Sequence, residues 1–320
     1  MQASRFPDDR SIATIGFVLL PGFALMSYAA ATEPFRAANV IAGRPLFRVR
    51  NFGETREVAA SSGATVVTEA LPGRGDGLAA VFVCAGGGPA DWHRPAVHQA
   101  LRRLAGEGVR IGGISGGPYL LAAAGLLAGK RFTIHWEHAP ALKEAFPDLD
   151  PVQARFVIDR DRLTCGGGIA PLDMMHALIA ERMGADFARR VSDWFLHTEV
   201  GAGEGPQRAS LAERHGVHHP ALIAVIEKME ATIEAPLSRA AMARFAGVSE
   251  RHLDRLFAVH RGTTFLADYR RIRLDHADKL LRQSTLSVAE IAFATGFSSA
   301  SHFARAYAAV FGRSPRAARR

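Results

Sequence analysis

A serine in the motif Gly-x-Ser-x-Gly is the residue whose surroundings most resemble a covalent catalytic site. The motif occupies residues 113–117 and is centred on Ser115. In enzymes this spacing marks a sharp turn between a strand and a helix that exposes the serine for attack on a carbonyl carbon. A serine hydrolase or amidase-like enzyme is therefore one hypothesis for the function. Such an enzyme also needs a histidine base and a carboxylate that orients the base.

The candidate partners of Ser115 do not fit that scheme. His135 precedes Asp173 in the chain, which is the reverse of the order found in enzymes with this motif. His176 follows Asp173 by three residues inside a predicted helix, so both side chains would project from one helix face, toward solvent or a packing surface. We therefore expect no catalytic residues, and the hydrolase remains the alternative hypothesis.

The last quarter of the chain contains an internal repeat. Residues 237–257 and 286–307 align with one single-residue insertion, and each copy has a serine cap, a short helix, a glycine turn, a second serine cap and a second helix. A serine cap accepts a hydrogen bond from a free N–H group at the start of a helix, and glycine permits a sharp turn. The repeat predicts two helix-turn-helix units, in which the second helix enters the major groove of DNA.

The distribution of charge supports double-stranded DNA as the partner of this repeat. Residues 236–320 hold 15 Lys and Arg against 6 Asp and Glu, whereas residues 1–235 hold 24 against 25. Cationic side chains that neutralise phosphates release condensed counterions and so drive binding to nucleic acid. Arg255 and Arg305 lie at the same register of the two second helices. The alternative is a helical repeat that packs only on itself.

The elements that position Ser115 alternate between short apolar runs and helical patterns. Strands are predicted at 12–20, 47–52, 79–84, 109–114 and 156–158, and helices near 24–41, 93–107, 117–128 and 169–184. This alternation predicts an α/β domain with a parallel sheet and helices on both faces. Ligands bind beyond the carboxyl ends of such strands. Residues 86–88, Ser115 and residues 166–168 are therefore expected at one rim of the sheet.

Three segments are expected along the chain. Residues 10–200 form the α/β domain, residues 201–235 a linker with a connecting helix, and residues 236–320 the DNA-binding domain. The linker contains His215, His218 and His219, but no second pair of ligands lies nearby in sequence, so we expect a connector and no metal site. The glycine-rich segments lack the spacing of nucleotide-binding motifs, and no cofactor is expected.

Cysteine content and hydropathy point to a cytoplasmic protein. Cys84 and Cys165 are too few for a disulfide framework and fit a reducing compartment. Residues 11–32 carry no charge, but Pro21 and Gly22 interrupt them, so a strand, a turn and a helix are predicted there in place of a membrane anchor.

Residues 236–320 resemble the DNA-binding domain of AraC-type regulators. The segment 296–319, with its closing Phe-Gly-x-Ser-Pro, is similar to the signature of that family. The resemblance implies two helix-turn-helix units joined by a long helix, here about residues 265–281. We expect a homodimer that acts together with RNA polymerase, as an activator or as a repressor of transcription. The residues that would face the bases are Arg251, Asp254 and Arg255 in the first unit, and Ala300, Ser301 and Arg305 in the second.

Residues 10–190 resemble the PfpI/ThiJ-like domain, which has a flavodoxin-like fold. The similar segments are Leu-Leu-Pro-Gly-Phe near the start, Gly-Gly-Gly after Cys84, and Thr-Ile-His-Trp after the elbow. Enzymes of that family carry a cysteine at the elbow, usually followed by histidine, and a glutamate from the first helix. Here Ser115 and Gly116 occupy the elbow, and Glu33 stands where the glutamate is expected. The low-pKa thiol and its base are thus missing.

In this order the two domains resemble the GlxA family of AraC-type regulators, in which the PfpI/ThiJ-like domain is a sensor. The segment around Glu33 is also similar to members that sense small amines such as carnitine, betaine or arginine. The resemblance implies a small-molecule effector held by Glu33, Ser115, Gly116, Gly87 and Trp136. Glu33 would suit a cationic group, and Trp136 would add cation–π attraction.

Overall fold

The computed structural model describes residues 11–75, 77–284 and 286–319, and the chain divides into two compact units that meet at the bond between Gln207 and Arg208. The described part of the first unit contains nine strands. They are β1 (Ala13–Leu19), β2 (Phe47–Gly53), β3 (Glu57–Ala59), β4 (Thr65–Val67), β5 (Glu69–Ala70), β6 (Leu78–Ala85), β7 (Arg110–Ser115), β8 (Phe156–Asp159) and β9 (Arg162–Cys165).

Seven of these strands form one sheet in the order β5-β2-β1-β6-β7-β9-β8, while β3 and β4 form a separate antiparallel hairpin. All neighbours in the large sheet are parallel except β8 and β9. The predicted parallel α/β sheet is confirmed, with one antiparallel edge strand. The strand predicted at 156–158 corresponds to β8, whereas β9 was not predicted. The four residues of β9 include an arginine and a threonine and so form no apolar run.

Six helices cover the sheet, and a short 3₁₀ turn lies at Pro89–Trp92. They are α1 (Leu25–Ala42), α2 (Pro95–Gly106), α3 (Gly117–Ala123), α4 (Ala139–Ala145), α5 (Ala170–Met183) and α6 (Ala185–Trp194). Alternate residues of β6 enter two cores: Phe82 packs with α1, α5 and α6, whereas Val81 and Val83 pack with α2 and α3. Both faces of the sheet are therefore covered, and its central strands β1 and β6 are almost entirely apolar.

The second unit is entirely helical in its described part. Its helices are α7 (Leu211–His215), α8 (Pro220–Ala231), α9 (Arg239–Phe245), α10 (Glu250–Arg261), α11 (Phe265–Gln283), α12 (Val288–Ala294), α13 (Ala300–Phe311) and α14 (Pro315–Ala318). The long helix α11 contributes to two cores. Phe265 and Tyr269 pack with α8, α9 and α10, whereas Leu274 and Leu281 pack with α12, α13 and α14. Each core thus holds one helix-turn-helix pair.

The two helix-turn-helix pairs have the caps and turns that the repeat predicts. Ser249 accepts a hydrogen bond from the backbone N–H of His252, and Ser299 accepts one from that of His302, each at 3.2 Å. The turns contain Gly247 and Gly296 with φ values of +65° and +72°. The N-termini of α10 and α13 are therefore fixed in the same way.

The segment 201–235, predicted as a linker with a connecting helix, is divided between the units. Residues 201–207, which we call the strap, form hydrogen bonds with the first unit: Gly203 and Gly205 accept from the backbone N–H groups of Phe156 and Arg155. The helices α7 and α8 contribute to the first core of the second unit instead. Leu222 and Val225 of α8 are buried in that core and Leu211 of α7 packs against it, so both helices belong to the second unit. In the described ranges, no helix is both long and apolar enough to cross a membrane.

The turn glycine of the second pair should be more sensitive to substitution than a helix-capping glycine. Gly296 and Gly262 both have positive φ, but a Cβ at position 296 would lie 2.7 Å from the carbonyl oxygen of Ile233, whereas a Cβ at position 262 meets open space. We expect Gly262→Ala to cost about 1–2 kcal/mol from backbone strain. Gly296→Ala should add a further 1–3 kcal/mol or so from crowding.

Thermal unfolding followed by circular dichroism measures this difference. All three tryptophans lie at or before Trp194, so tryptophan fluorescence reports the first unit separately and should be unaffected by either substitution. Equal loss of stability in the two variants would contradict the packing of Gly296 against residues 233–236.

Candidate ligand cavity and DNA-contacting helices

The strand-to-helix turn at Ser115 has the geometry of a nucleophile elbow. Ser115 ends β7 with a φ of +61°, and α3 begins two residues later at Gly117. A side chain at position 117 would collide with the backbone of Val83 on the neighbouring strand, and one at position 167 would lie 2.8 Å from the Cβ of Ser115. The turn is thus held in a strained conformation by close backbone packing.

The expected partners of a catalytic serine are not assembled around Ser115. Among the described residues, no histidine side chain is within hydrogen-bond distance of its hydroxyl; His135 donates only its backbone N–H, to the Ser115 carbonyl oxygen at 3.3 Å. Asp173 is fully buried and accepts from His197 at 2.7 Å. His176 instead pairs with Ser192. The expectation that Asp173 projects toward solvent or a packing surface is corrected in part, because its carboxylate lies in a buried polar network.

The position after Ser115 cannot hold a side chain in this conformation. A Cβ at Gly116 would collide with the ring of Trp92, which is buried and donates from Nε1 to the carbonyl oxygen of Gly86 at 2.9 Å. Tyr119 and His138 also pack on this indole ring. An aromatic cluster therefore fills the space in which a base after the elbow would lie.

A cavity of about 230 Å³ lies next to the elbow, at the carboxyl ends of the strands. It is lined by His135, Trp136, Arg155, Gly166, Gly167, Gly168, Ile169, Ala170 and Gln207. The predicted rim is therefore present, since residues 166–168 follow β9 and Ser115 is the last residue of the adjacent β7. A larger surface groove of about 590 Å³ lies beside the end of β2, from Gly53 to Arg56, and includes no residue of the elbow.

The structure distributes the five predicted ligand-binding residues unevenly around this cavity. Trp136 lines it, whereas Ser115 and Gly116 lie behind the glycine wall and Gly87 lies at the end of β6. Glu33 is 43% exposed and forms an ion pair with Arg36 at 2.6 Å. Glu33 lies six residues after Ser27, the residue of α1 that contacts Gly168 at the rim, which is about 1.7 helical turns further along α1.

Sequence reasoning missed the polar residues that do reach the cavity. From α1 the side chain at the rim is Ser27, whose hydroxyl accepts from the backbone N–H of Gly168 at 2.8 Å. Arg155 and Gln207 come from segments with no recognisable motif. They enter the cavity only because tertiary packing brings the residues before β8 and the strap together.

Arg155 is oriented by a buried carboxylate. Its Nε atom donates to Asp173 at 3.0 Å and its Nη2 atom also bonds that carboxylate. Asp173 further accepts from His197 and from the backbone N–H of Gly201. The carboxylate thereby holds the guanidinium group in one position against the cavity wall.

The two thiols of the first unit are not reactive groups. Cys84 and Cys165 are buried and unpaired with each other, and burial raises the pKa of both thiols, that of Cys165 to about 12. Both therefore remain protonated at neutral pH. They act as small apolar residues, and in the described part of the chain no cluster of side chains could hold a metal ion.

The exposed faces of α10 and α13 contain most of the predicted base-reading residues. Arg251, Arg255, Ser301 and Arg305 are exposed. Asp254 is half-exposed and pairs with Arg239 of α9 at 3.0 Å. Ala300 is partly buried against the second core, so little of its side chain faces outward.

A histidine not predicted as a site residue occupies the same position in α10 and in α13, the second helices of the two helix-turn-helix pairs, which we call the recognition helices. With the caps Ser249 and Ser299 aligned, His252 and His302 occupy the same position, three residues after each cap. His302 is exposed and His252 partly so. The alignment of residues 237–257 with residues 286–307 already places these two histidines at equivalent positions.

Stability of the first unit should decrease at mildly acidic pH because of His138. Burial against Trp92 and the nearby His135 lower the pKa of His138 to about 4. Below the unfolded pKa of about 6.5, the unfolded chain binds a proton that the folded chain does not. The free energy of unfolding should therefore fall from about pH 6.5 toward pH 4, by up to roughly 1.4 kcal/mol per pH unit from this group.

Urea unfolding followed by tryptophan fluorescence at several pH values tests this expectation. His138→Phe keeps an aromatic ring against Trp92 without the titrating group and should reduce the pH dependence, to which His135, whose pKa burial also lowers, still contributes. His93→Phe, at an exposed histidine of the same unit, is the matched control and should leave the dependence in place. An unchanged slope in His138→Phe would refute the assignment.

Comparisons with known proteins agree with both halves of the structure. Residues 15–181 match the DJ-1/PfpI family and residues 242–320 match a helix-turn-helix domain. The chain is 61% identical over 317 residues to the HTH-type transcriptional regulator GlxA of Rhizobium meliloti, covering 98% of this chain and 97% of that protein. It is 41% identical over 304 residues to the regulator CdhR of Pseudomonas aeruginosa, covering 93% and 89%.

A solved structure of an AraC family transcriptional regulator from Pseudomonas putida has a TM-score of 0.54 and 25% identity, and covers 57% of this chain and 99% of that one. The sequence resemblance to both domain families is thus confirmed over nearly the whole chain. The chain belongs to the GlxA family of transcription regulators, in which a DJ-1/PfpI domain precedes an AraC-type helix-turn-helix domain.

Proposed function

We propose that this DNA-binding regulator reads its sites with α10 and α13 and responds to a small metabolite held in the cavity beside Ser115. The observation that carries the DNA-reading part is the equal register of the two recognition helices. Arg255 and Arg305 each follow their serine cap by six residues and both are exposed. Two arginines held in this way can each form a bidentate contact with guanine.

The two helices offer different sets of groups to the bases. The first presents Arg251, Arg255 and the carboxylate of Asp254, whereas the second presents Ser301 and Arg305. A carboxylate accepts from the amino group of cytosine, and arginine donates to guanine. We therefore expect the first unit to discriminate among bases more strongly, with the second adding one base contact and contacts to the DNA backbone.

Replacement of Arg255 should reduce sequence preference as well as affinity. We expect Arg255→Ala to cost about 1–3 kcal/mol on the preferred site and to relax preference at one base position. The measurement is selection of binding sites from a random DNA library, followed by titration of the selected site with the full chain. Lys143→Ala removes an exposed charge from the first unit and should leave both affinity and preference unchanged. A uniform loss on all DNA sequences would identify Arg255 as a phosphate contact.

The chemistry of the cavity supports a ligand that carries a carboxylate. Arg155 lines the wall, and its Nη1 atom is not among the atoms that bond Asp173. The ring of Trp136 is another wall, suited to the cationic end of a small amine. Among the described residues, no acidic side chain lines the cavity, so Arg155 supplies its charged contact and favours a carboxylate. The proposed effector is therefore a zwitterion, such as a betaine or an amino acid, bound by its carboxylate.

The second candidate function is the serine hydrolase, and the positive φ of Ser115 favours it. Against it stands the position of His135, whose ring does not bond the Ser115 hydroxyl. Without a base a serine hydroxyl is a weak nucleophile. We therefore propose that the first unit is a sensor and not an enzyme.

A fluorophosphonate probe separates these two functions, because it labels serines that a neighbouring base activates. We expect no covalent labelling of the full chain, as measured by intact-protein mass spectrometry, and we expect Ser115→Ala to retain DNA binding. The matched control is a serine hydrolase treated in parallel. Stoichiometric labelling that disappears in Ser115→Ala would establish the hydrolase.

Three further parts of the proposal concern partners and location. A homodimer would place two pairs of recognition helices on a two-fold symmetric site. Activation through RNA polymerase would follow from binding near a promoter. The proposed site of action is the cytoplasm, where bacterial chromosomal DNA lies.

A further inference from the structure

The last residue of the first unit is also a wall of the cavity. Gln207 lines the cavity and packs directly against Gly166, and the next residue, Arg208, begins the second unit. A Cβ at Gly166 would lie 2.7 Å from the side-chain amide carbon of Gln207. The chain therefore leaves the first unit directly from the place where a ligand would bind.

The amide of Gln207 is held at both ends. Its Oε1 atom accepts from the backbone N–H of Trp136 at 2.8 Å. Its Nε2 atom lies within hydrogen-bond distance of the Thr133 hydroxyl and of the carbonyl oxygens of Ile134 and Ala154, at 2.7 to 2.9 Å. These partners are the segment before Trp136 and the segment before Arg155, which supply two other walls of the cavity. A ligand that moves either segment moves the acceptors of Gln207.

Other residues of the strap form hydrogen bonds with Arg155 and with Asp173, the carboxylate that orients it. The backbone N–H of Arg155 donates to the carbonyl oxygen of Gly205 at 3.0 Å, and Gly201 donates to Asp173 at 2.8 Å. A Cβ at either of these glycines would lie within 3.0 Å of the Arg155 side chain. These glycines of the strap therefore pack directly against Arg155, the residue that we propose binds the ligand carboxylate.

We propose that Gln207 couples occupation of the cavity to the DNA-binding unit. A ligand between Arg155 and Trp136 fixes the acceptors of the Gln207 amide, and this fixes the chain where the second unit begins. Gln207 is thus a positioning residue: it acts on DNA binding through the strap and touches no DNA itself. The inference rests on the proposed function that the cavity holds the effector.

Variants of the strap in the full chain test this coupling. Gln207→Ala removes the amide, and Gln207→Glu keeps its size but cannot donate to the three acceptors. Glu204→Gln is the matched control, because Glu204 is a strap residue that is 70% exposed, lies outside the cavity and pairs with Arg131. Two properties are measured for each: the rate of trypsin cleavage after Arg208, mapped by mass spectrometry, and the Kd for the selected DNA site. Both are measured with and without glycine betaine, L-carnitine or L-arginine.

In the unaltered chain, a probe that binds should slow cleavage after Arg208 and change the DNA Kd at least fivefold, within the usual range of allosteric coupling. In Gln207→Ala and Gln207→Glu, cleavage without any probe should be at least fivefold faster and the DNA Kd should differ at least threefold. At probe concentrations at least tenfold above the Kd of each variant for the probe, the probe should then change the DNA Kd less than twofold. Glu204→Gln should behave as the unaltered chain.

Two results would overturn the coupling. They are an unchanged response to the probe in both Gln207 variants, or the same changes in Glu204→Gln. If a Gln207 variant no longer binds the probe, its cleavage rate and DNA affinity without the probe decide the role of Gln207. If none of the three probes binds the unaltered chain, the proposed effector class fails. Cleavage and DNA affinity without a probe then still decide the role of Gln207, because unchanged values in both variants would refute it.

Discussion

A buried carboxylate holds together the segments that surround the cavity. Asp173 lies in the first turn of α5 with no exposed surface, and it accepts hydrogen bonds from Arg155, His197 and Gly201. An ionised carboxylate is costly to remove from water unless such partners compensate for the lost hydration. The segment before β8, the segment after α6 and the strap are therefore tied to one point. The position of the guanidinium group in the cavity follows from that point.

The elbow at Ser115 is a strained turn that close packing holds in place. A non-glycine residue at positive φ costs of order 1–3 kcal/mol and persists where surrounding structure fixes it. Here the fixing contacts come from Gly117 against Val83 and from Gly167 against Ser115 itself. Trp92 fills the space next to Gly116, so a base cannot follow the serine. Close packing thus maintains the turn and fills the space beside Gly116, while the glycine wall next to the turn borders a cavity.

In the second unit, two small cores share one helix. The first half of α11 packs against the first helix-turn-helix pair and the second half against the other pair. Neither pair of short helices could bury much apolar surface alone. Because α11 is continuous over 19 residues, it fixes the spacing of the two pairs along one axis. Serine caps then fix where each recognition helix begins, and the arginines follow in the same register.

The sequence by itself determined the class of both domains and the register of the residues that we propose contact DNA. Those features depend on local rules, namely the alternation of apolar runs, serine caps and glycine turns, which act over a few residues. Only the tertiary structure decided the composition of the cavity. Glu33 and Ser27 lie on one helix, yet Ser27 reaches the rim and Glu33 pairs with Arg36. Arg155 and Gln207 lie 52 positions apart in the chain and no motif marks either. They meet because β9 and the strap bring distant segments together, and the hydrogen-bond partners of a buried polar group are set by packing across the fold and not by its neighbours in sequence.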